Sequence, residues 1–487
     1  MKQMTKTRWC YLGCAVLMLL IMIRYSMVQT FWYDEMYQLG MVSEKYSIWE
    51  VIYNYSLLQD YTPPLYALIA AVWVRIVPFS SVMYLLISEI PVAVGIYLLS
   101  CLGERIYGKR TGILCAVIGL VSSVLMLSGG LEFRAYGLYF FLSVIAVYVW
   151  YLRLEKPTMK RTVWYGVSLI LLVYSHYFGA VLCGGLFFAD LFFYVRKQIK
   201  SSAILSYVMA GISFLPWMGA ILFNKQGSMS EFWINPPNLT SVKNAILYLN
   251  SDSHELYIVF LFAISLFLVE AIFAFQKKKF ENLCHGVSLS MIWLILFVMG
   301  SIFIYSVWIN PKGGIFWNRY FLGLVPCCIF LSAAALSRIC NFFVGEKKVL
   351  SCIVIAVFLC LIVGQETIPN LSEGAYKENS YDKAYNVLKK KQDIEKDTTA
   401  IVIGDNHWVR DGFEYYFKYG DKTLDVNLIT QYEENIAEDI LKYKKLYVFK
   451  AHEVITWDTI GILDKYYVKK ETDEENGITV YRRRKGI

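Results

Sequence analysis

Apolar runs recur along this chain from residue 9 to about residue 367. Runs of about 17–25 apolar residues are long enough to cross a bilayer as helices. Only 18% of the 487 residues are charged and 57% are hydrophobic, whereas soluble domains carry roughly 25% charged residues. The first run, residues 11–27, is too long for a signal peptide and lacks a small-residue cleavage site, which predicts a retained helix. The sequence therefore predicts a polytopic α-helical membrane protein.

The net charge of +8 is distributed unevenly. From residue 369 to the end there are 20 Lys and Arg against 22 Asp and Glu, so the positive excess belongs to the apolar part of the chain. It lies in short loops, which is typical of cytoplasmic anchoring and not of a nucleic-acid-binding surface. Six short segments carry most of it: Lys2/Lys6/Arg8, Arg105/Lys109/Arg110, Arg153/Lys156/Lys160/Arg161, Arg196/Lys197/Lys200, Lys277/Lys278/Lys279 and Arg338/Lys347/Lys348.

The orientation of the chain follows from placing all six basic segments in the cytoplasm, because each neighbouring pair must then be separated by an even number of crossings. Three apolar runs, 9–27, 64–78 and 82–102, lie between the first two segments, so one of them does not cross. The run 64–78 is the shortest, begins at a Pro-Pro pair and contains Arg75, which predicts a helix along the outer membrane face. Residues 28–81 then form one extracytoplasmic loop. If the run 64–78 did cross, the next five basic segments would lie outside.

The other apolar runs bring the predicted number of crossings to about eleven. They are 82–102, 111–129, 134–152, 162–174, 178–195, 202–222, 255–275, 286–308, 320–338 and 349–367. With the first basic segment and the N-terminus in the cytoplasm, an odd number of crossings places the part after residue 368 outside the membrane. The pair 162–174 and 178–195 is short for two crossings, which predicts that the turn SHYFG (175–179) lies below the outer surface, where protein or a watery cavity must surround it.

Residues 369–487 form a separate region, called the tail, with the pattern of a small soluble α/β domain. Residues 380–392 have a helical pattern. Strands are predicted at 398–404, 424–430 and 445–450 and at ITVYRR near the end. Strands that alternate with helices indicate a partly parallel sheet.

Polar residues that could do chemistry come from four outward-facing loops at the membrane surface. A carboxylate there can serve as a base, arginines can hold phosphate oxygens, and aromatic faces can pack on a sugar or an isoprenoid chain. This combination suits an anionic, lipid-linked substrate. The candidates are Asp34, Glu35, Glu132, Arg134, His176 and Arg319.

Each candidate also has a structural alternative. Asp34 and Glu35 could stabilise the N-terminus of the helix that follows, since carboxylates are favoured there. Arg134 and Arg319 could be anchors at the membrane interface, and His176 could be a buried, hydrogen-bonded histidine. Two further acids within or at the edge of predicted spans could be polar contacts between helices: Glu89 and Asp190.

Five segments carry a family resemblance through their order along residues 9–340: YDEMY (33–37), TPPLYALIAAVWVRIVP (62–78), LEFRAYGLYFFLSVIAVYVWYLRL (131–154), SHYFG (175–179) and NRYFLGLVP (318–326). Together they resemble the lipid-phosphate-sugar-dependent glycosyltransferases with the C-type membrane fold. The chain is most similar to the bacterial relatives of protein O-mannosyltransferases and of aminoarabinose transferases. The tail is not covered by the resemblance.

The resemblance implies an inverting transfer of one sugar from a polyprenyl phosphate to an acceptor. It assigns Asp34 as catalytic base, Glu35 as its neighbour in the acceptor or metal region, and Arg134 and Arg319 as holders of the donor phosphate. Inversion with a phosphate leaving group needs one carboxylate, unlike glycoside hydrolysis, which needs two. A divalent metal is left open, with Asp34, Glu35 and His176 as its only candidate ligands. The other substrate-binding candidates are Tyr61, Tyr66, Glu132, Tyr136, His176 and Tyr320.

Two positions depart from the family pattern. Thr62 stands where members often have His, and Glu89 stands where many have Arg. Either departure could alter contacts to the donor, but neither removes the acid or the two arginines.

The sequence thus predicts a C-type glycosyltransferase with a transmembrane domain at 1–368, which includes the loop 28–81 and its helix 64–78, and an extracytoplasmic α/β domain at 369–487. Its expected partners are a polyprenyl-phosphate sugar, a glycan, lipid or protein acceptor and membrane lipid, without nucleic acid. One rival is a flippase or other transporter of lipid-linked saccharides, for which paired broken helices in two corresponding halves would be expected; no such symmetry is found. The second rival is a non-catalytic membrane scaffold whose tail binds a partner.

Overall fold

The computed structural model describes residues 6–59, 62–224, 234–276, 283–311, 314–342, 355, 357–359, 361–375, 380–391, 394–420, 423–452 and 455–485. The chain divides into two compact units. The first, called the membrane unit, comprises Met1–Tyr25, Ser56–Tyr66 and Ser88–Gly374. The second, called the loop–tail unit, comprises Ser26–Tyr55, Ala67–Ile87 and Ala375–Ile487. The domain boundary at residue 368 stays a prediction.

The helices up to residue 375 are, in chain order, α1 (Lys6–Ser26), α2 (Tyr33–Met41), α3 (Ile48–Glu50), α4 (Leu65–Val74), α5 (Ser81–Tyr107), α6 (Lys109–Leu120), α7 (Tyr136–Glu155), α8 (Met159–Ser175), α9 (Tyr177–Val195), α10 (Ile204–Asn224), α11 (Leu239–Leu249), α12 (His254–Gln276), α13 (Leu283–Ile304), α14 (Val325–Phe342) and α15 (Ile368–Ala375). Short π-helical segments lie at Val51–Gln59, Leu125–Gly130, Tyr305–Ile309 and Val363–Thr367, and 3₁₀ turns at Ser201–Ala203 and Asn318–Leu324.

Among the described residues, eight helical stretches are long and apolar enough to cross a membrane. They are Lys6–Ser26, Ser81–Tyr107, Tyr136–Glu155, Tyr177–Val195, Ser201–Leu222, His254–Ala274, Leu283–Ile309 and Asn318–Cys340. The expected polytopic helical architecture is confirmed, but the number of about eleven crossings is not. Within the predicted span 111–129, α6 already ends at Leu120. The predicted span 162–174 lies inside α8, whose 17 residues are at the lower limit for a crossing. Most of the predicted span 349–367 lies outside the described residues.

The apolar run 64–78, predicted not to cross, forms the short helix α4. Its ten residues rise only about 15 Å, roughly half the thickness of a bilayer's hydrocarbon core. Arg75 follows its last turn and folds back: its guanidinium donates hydrogen bonds at 3.1 Å to the carbonyl oxygens of both Val42 and Ser43, and also to those of Ala71 and Tyr46. Arg75 therefore holds backbone carbonyls of the segment between α2 and α3.

A buried ion pair joins helices inside the membrane unit. One carboxylate oxygen of Asp190 in α9 accepts a hydrogen bond from the Trp150 indole at 2.7 Å. The other accepts from the Tyr207 hydroxyl at 2.6 Å and from the Arg153 guanidinium, which lies 4.5 Å from the Tyr165 ring centroid. Buried charges persist when they are paired and hydrogen-bonded in this way. The alternative for Asp190, a polar contact between helices, is what the structure has.

The tail contains α16 (Ser380–Leu388), β1 (Thr399–Ile403), α17 (His407–Tyr419), β2 (Asn427–Thr430), α18 (Ile436–Leu441), β3 (Lys445–Phe449), α19 (Trp457–Tyr466), β4 (Tyr467–Asp473) and β5 (Ile478–Arg483). The sheet has the strand order β2-β1-β3-β5-β4. β1 runs parallel to both β2 and β3, whereas β5 is antiparallel to β3 and β4. All five residues of β1, TAIVI, are buried, as expected of a central strand that is covered on both faces.

The partly parallel sheet and four of its strands agree with the sequence analysis, but β4 was not predicted. Its residues between Tyr467 and Asp473 are mostly charged and exposed. Charged side chains are common on edge strands because they discourage pairing with another chain. Because most of its residues are charged, β4 lacks the alternation of apolar and polar residues from which strands are predicted.

Candidate functional site

Six of the predicted site residues in the membrane unit come from the chain after residue 130 and are called the arginine cluster: Glu132, Arg134, Tyr136, His176, Arg319 and Tyr320. Three separate segments supply them, namely the entry to α7, the turn between α8 and α9, and the 3₁₀ turn before α14. The Arg319 guanidinium lies 3.6 Å from a carboxylate oxygen of Glu132, and the two side chains are 14% and 13% exposed. The guanidinium also lies 5.5 Å from the ring centroid of Tyr136.

His176 sits at the centre of an aromatic group in this cluster. Its ring stacks on Tyr139 at a centroid distance of 4.9 Å and lies 5.8 Å from Tyr136 and 5.7 Å from Tyr320. Its Nδ1 accepts a hydrogen bond from the backbone N–H of Phe178 at 3.2 Å, so the proton of the neutral ring is on Nε2. Burial, and next the positive charge of Arg134, lower the pKa of His176 to about 3.

His176 is therefore a neutral, helix-capping histidine at physiological pH. This matches the structural alternative named for it, yet its Nε2–H remains a hydrogen-bond donor, so the two descriptions are compatible. The charge of Arg134 acts on His176, so the two residues belong to the same region of the membrane unit.

Tyr66, from the Pro-Pro-Leu-Tyr segment, contacts the same region of the membrane unit. Its hydroxyl lies 3.3 Å from the Ser88 hydroxyl, and its ring lies 6.1 Å from that of Phe133. Ser88 in turn donates a hydrogen bond to the backbone carbonyl of Arg134 at 3.5 Å. Tyr61 lies outside the described residues.

The sequence analysis missed two tyrosines here. Tyr139 follows Tyr136 by three residues, so helical spacing places both on one face of α7 and could have revealed it. Tyr248 in α11 lines a polar cavity of about 310 Å³ together with Ser128, Asp252 and Glu373. α11, which carries Tyr248, packs against the 3₁₀ turn Asn318–Leu324 that carries Arg319. Burial raises the pKa of Tyr248, and the opposing charges of Glu132 and Arg319 also act on it.

Asp34 and Glu35 belong to the loop–tail unit, where they occupy the first turn of α2. Glu35 is fully buried, and its carboxylate accepts a hydrogen bond at 3.1 Å from the backbone N–H of Trp32, the residue before the helix. This is the carboxylate half of a capping box, which satisfies a backbone donor at the helix start. Asp34 is only half-buried. The two neighbouring acids therefore have different surroundings.

The described residues offer no set of ligands to the divalent metal that the sequence left open. Among the described residues, no group of three or more His, Cys, Asp or Glu side chains could hold a metal ion. Glu35, one of its three candidates, caps its own helix. No step is therefore assigned to a metal.

The fold of this chain resembles that of proteins of known structure. No family model matches the chain, and no curated protein matches it. Among solved structures, ArnT from Cupriavidus metallidurans bound to undecaprenyl phosphate matches with a TM-score of 0.59 at 9% identity, over 99% of both chains. The apo state of that protein matches with a TM-score of 0.59 at 10% identity, over 96% of this chain and 97% of that one. The archaeal oligosaccharyltransferase AglB from Archaeoglobus fulgidus, in complex with an inhibitory peptide and a dolichol-phosphate, matches with a TM-score of 0.54 at 12% identity, over 98% of this chain and 74% of that one. At such identities the likeness establishes the fold, and the expected C-type membrane fold is confirmed.

Proposed function

We propose that this chain is an inverting glycosyltransferase that moves a hexose or pentose from a polyprenyl phosphate to a glycan, lipid or protein acceptor on the outer face of a bacterial plasma membrane. The observation that carries the proposal is the arginine cluster, in which the Arg319 guanidinium lies 5.5 Å from the Tyr136 ring centroid and the charge of Arg134 acts on His176. A protein with the same fold has been solved with undecaprenyl phosphate bound.

The arginine cluster suits the phosphate of such a donor. A guanidinium presents a planar fork of donors that binds two phosphate oxygens at once. Glu132 holds Arg319 in place. The neutral His176 adds one N–H donor without adding charge, and the surrounding tyrosine rings offer faces for a sugar or an isoprenoid chain.

The chemical step then needs a single base. The carboxylate of Asp34 takes the proton of the acceptor hydroxyl as that oxygen forms a bond to the anomeric carbon. The bond between the anomeric carbon and the phosphate oxygen breaks, and its electron pair leaves with the polyprenyl phosphate. Attack opposite to the leaving phosphate inverts the configuration of the sugar. The arginines stabilise the negative charge that grows on the phosphate.

Transfer can be separated from transport in detergent, where no two compartments exist. Cells that lack the chain should accumulate a polyprenyl-phosphate sugar and make an envelope glycan that lacks the mass of that sugar. The wild-type chain, purified in detergent micelles, should convert this extracted donor into free polyprenyl phosphate when the acceptor fraction is added. A flippase could not do this chemistry. Donor that is recovered unchanged, from protein that remains folded, would refute the proposed activity.

The orientation is tested by labelling single cysteines in a cysteine-free version of the chain. Three exposed positions serve: Trp49 in the outer loop, Glu474 in the tail and Lys156 in a basic loop. A membrane-impermeant maleimide should label residues 49 and 474 in intact cells, and residue 156 only after permeabilisation. If residue 49 is labelled only after permeabilisation, Asp34 faces the cytoplasm and the proposed reaction is on the wrong side.

A further inference from the structure

The tail has a crevice at the carboxyl edge of its parallel strands. After β1 the chain passes through α17 to β2, which lies at one end of the strand order. After β3 it passes through α19 to β4, which lies at the opposite end. The direction of the connections therefore reverses between the neighbouring strands β1 and β3. Open α/β sheets bind their ligands at such a reversal, in the crevice outside the carboxyl ends of the two strands. In this crevice Asn406 follows β1 and His452 follows β3.

A side chain of the protein's own outer loop occupies this crevice. The Tyr33 ring stacks on His452 with a centroid distance of 4.2 Å and an angle of 27° between the planes. The Tyr33 hydroxyl accepts a hydrogen bond from the Asn406 side-chain amide at 3.2 Å. Tyr33 is the residue directly before Asp34, so both strand ends hold the start of the helix that carries the acid.

The walls of the crevice are fixed by further hydrogen bonds. The side-chain oxygen of Asn406 accepts from the backbone N–H groups of Trp408 and Val409 at 3.0 and 3.2 Å, which caps α17 and orients the amide toward Tyr33. The buried carboxylate of Asp405 accepts from the Tyr381 hydroxyl at 2.5 Å and from the backbone N–H of His452 at 3.4 Å.

Beyond the crevice, α2 and α17 cross at two glycines. A Cβ atom added to Gly40 would lie 1.8 Å from the carbonyl oxygen of Trp408, and one added to Gly412 would lie 2.1 Å from the carbonyl oxygen of Met36. Both distances are too short for any side chain, and the clashing atoms are backbone, which cannot move away as a side chain can. The two helix backbones therefore touch only because both positions are glycine.

A buried carboxylate on α17 holds the chain where α2 has ended. Asp411 accepts a hydrogen bond from the Lys45 ammonium at 2.8 Å and from the Tyr46 hydroxyl at 2.6 Å. The neighbouring Arg410 also donates to it at 3.0 Å. The helix of the acid is thus attached to the tail at its start, middle and end.

From these contacts we infer that the tail is a positioning module for Asp34, with the crevice that binds Tyr33 and the Gly40–Gly412 crossing as its docking surface. The inference rests on the proposed function, because it gives the tail a role in that reaction. In this tail, a segment of the same chain occupies the position at which other open α/β sheets bind a separate ligand. Asn406, Asp411, Gly412 and His452 are positioning residues in this scheme and do not contact the reacting atoms.

A matched pair of glycine substitutions tests the docking. Gly412→Ala inserts a methyl group into the helix crossing, whereas Gly461→Ala adds one in α19 of the same tail, where no other atom lies within 4 Å. In the purified full chain, Gly412→Ala should raise hydrogen exchange of the amides of residues 33–41 at least tenfold, and Gly461→Ala should leave it as in the wild type. Equal exchange in the two variants would overturn the docking.

Kinetics test the consequence for the reaction. Gly412→Ala should lower kcat at least tenfold while KM for the polyprenyl-phosphate donor stays within twofold, because the arginines that hold the donor are unchanged. A rise in exchange without a fall in kcat would overturn the positioning role. If the wild type itself shows no transfer, the proposed function fails and the positioning role fails with it, while the exchange comparison still decides whether α2 is docked.

Tyr33 provides a second route if Gly412→Ala does not fold. Tyr33→Phe keeps the stacking on His452 and loses the hydrogen bond from Asn406, whereas Tyr33→Ala loses both. Exchange at residues 33–41 should rise, and kcat should fall, in the order wild type, Phe, Ala. If Tyr33→Ala leaves both quantities at the wild-type level, the crevice does not hold the helix.

Discussion

Replacing Asp34 with Asn is expected to lower the rate of sugar transfer by about 100- to 10,000-fold, the usual contribution of a general base. Asn has nearly the shape of Asp and caps a helix about as well, so the substitution removes the proton acceptor and little else. The measurement is the turnover of polyprenyl-phosphate donor by purified protein in detergent, with the thermal midpoint as a check on folding.

Glu35 supplies the matched control for this result, because it is the neighbouring acid on the same helix. Its carboxylate accepts a hydrogen bond from Trp32 at the start of α2, and the side-chain oxygen of Gln can accept the same bond. Glu35→Gln should therefore retain most of the transfer activity. If Asp34→Asn also retains most of the transfer activity, Asp34 only stabilises the start of the helix and the catalytic assignment is wrong. A severe loss of activity in Glu35→Gln would indicate that Glu35 is a metal ligand.

The membrane unit was predictable from the sequence because its signals are local. Apolar runs, basic loops and the short proline-initiated run each depend on neighbouring residues, and α4 and the eight candidate spans follow them closely. The number of about eleven crossings is not confirmed, because α6 stops at Leu120 inside the predicted span 111–129. The structure brings Glu132, His176 and Arg319 into one region of the membrane unit. That these residues form the site, and their roles in the reaction, stay predictions.

The attachment of α2 to the tail could not be predicted in the same way. Tyr33 and His452 are separated by most of the chain, and neither stands in a motif that signals its partner. Gly40 and Gly412 are isolated glycines in helices, a pattern that lowers helix propensity without indicating what approaches. Asn406 could have been noted, since a helix-capping residue directly after a buried strand marks the edge where α/β sheets bind ligands.

The second large effect is expected from the arginines of the cluster. Arg319→Lys and Arg134→Lys keep the positive charge but lose the planar fork that binds two phosphate oxygens. Hydrogen bonds to charged groups contribute about 1.5–3 kcal/mol, so each variant should lower kcat/KM for the donor by roughly 10- to 100-fold while it inserts into the membrane normally. The dependence of the transfer rate on donor concentration measures this.

Arg8→Lys is the control for the loss of a guanidinium as such. Arg8 lies at the start of α1, its side chain is 47% exposed, and its closest carboxylate, that of Glu104, is 3.8 Å away. A lysine there can make the same loose ion pair, so donor dependence should match the wild type. In the proposed reaction, the Arg319 guanidinium binds the Glu132 carboxylate and the donor phosphate at the same time. A single ammonium group on a flexible side chain cannot bind both with the same geometry. Wild-type donor dependence in both Arg134→Lys and Arg319→Lys would show that the two arginines are interface anchors and that the donor phosphate is held elsewhere.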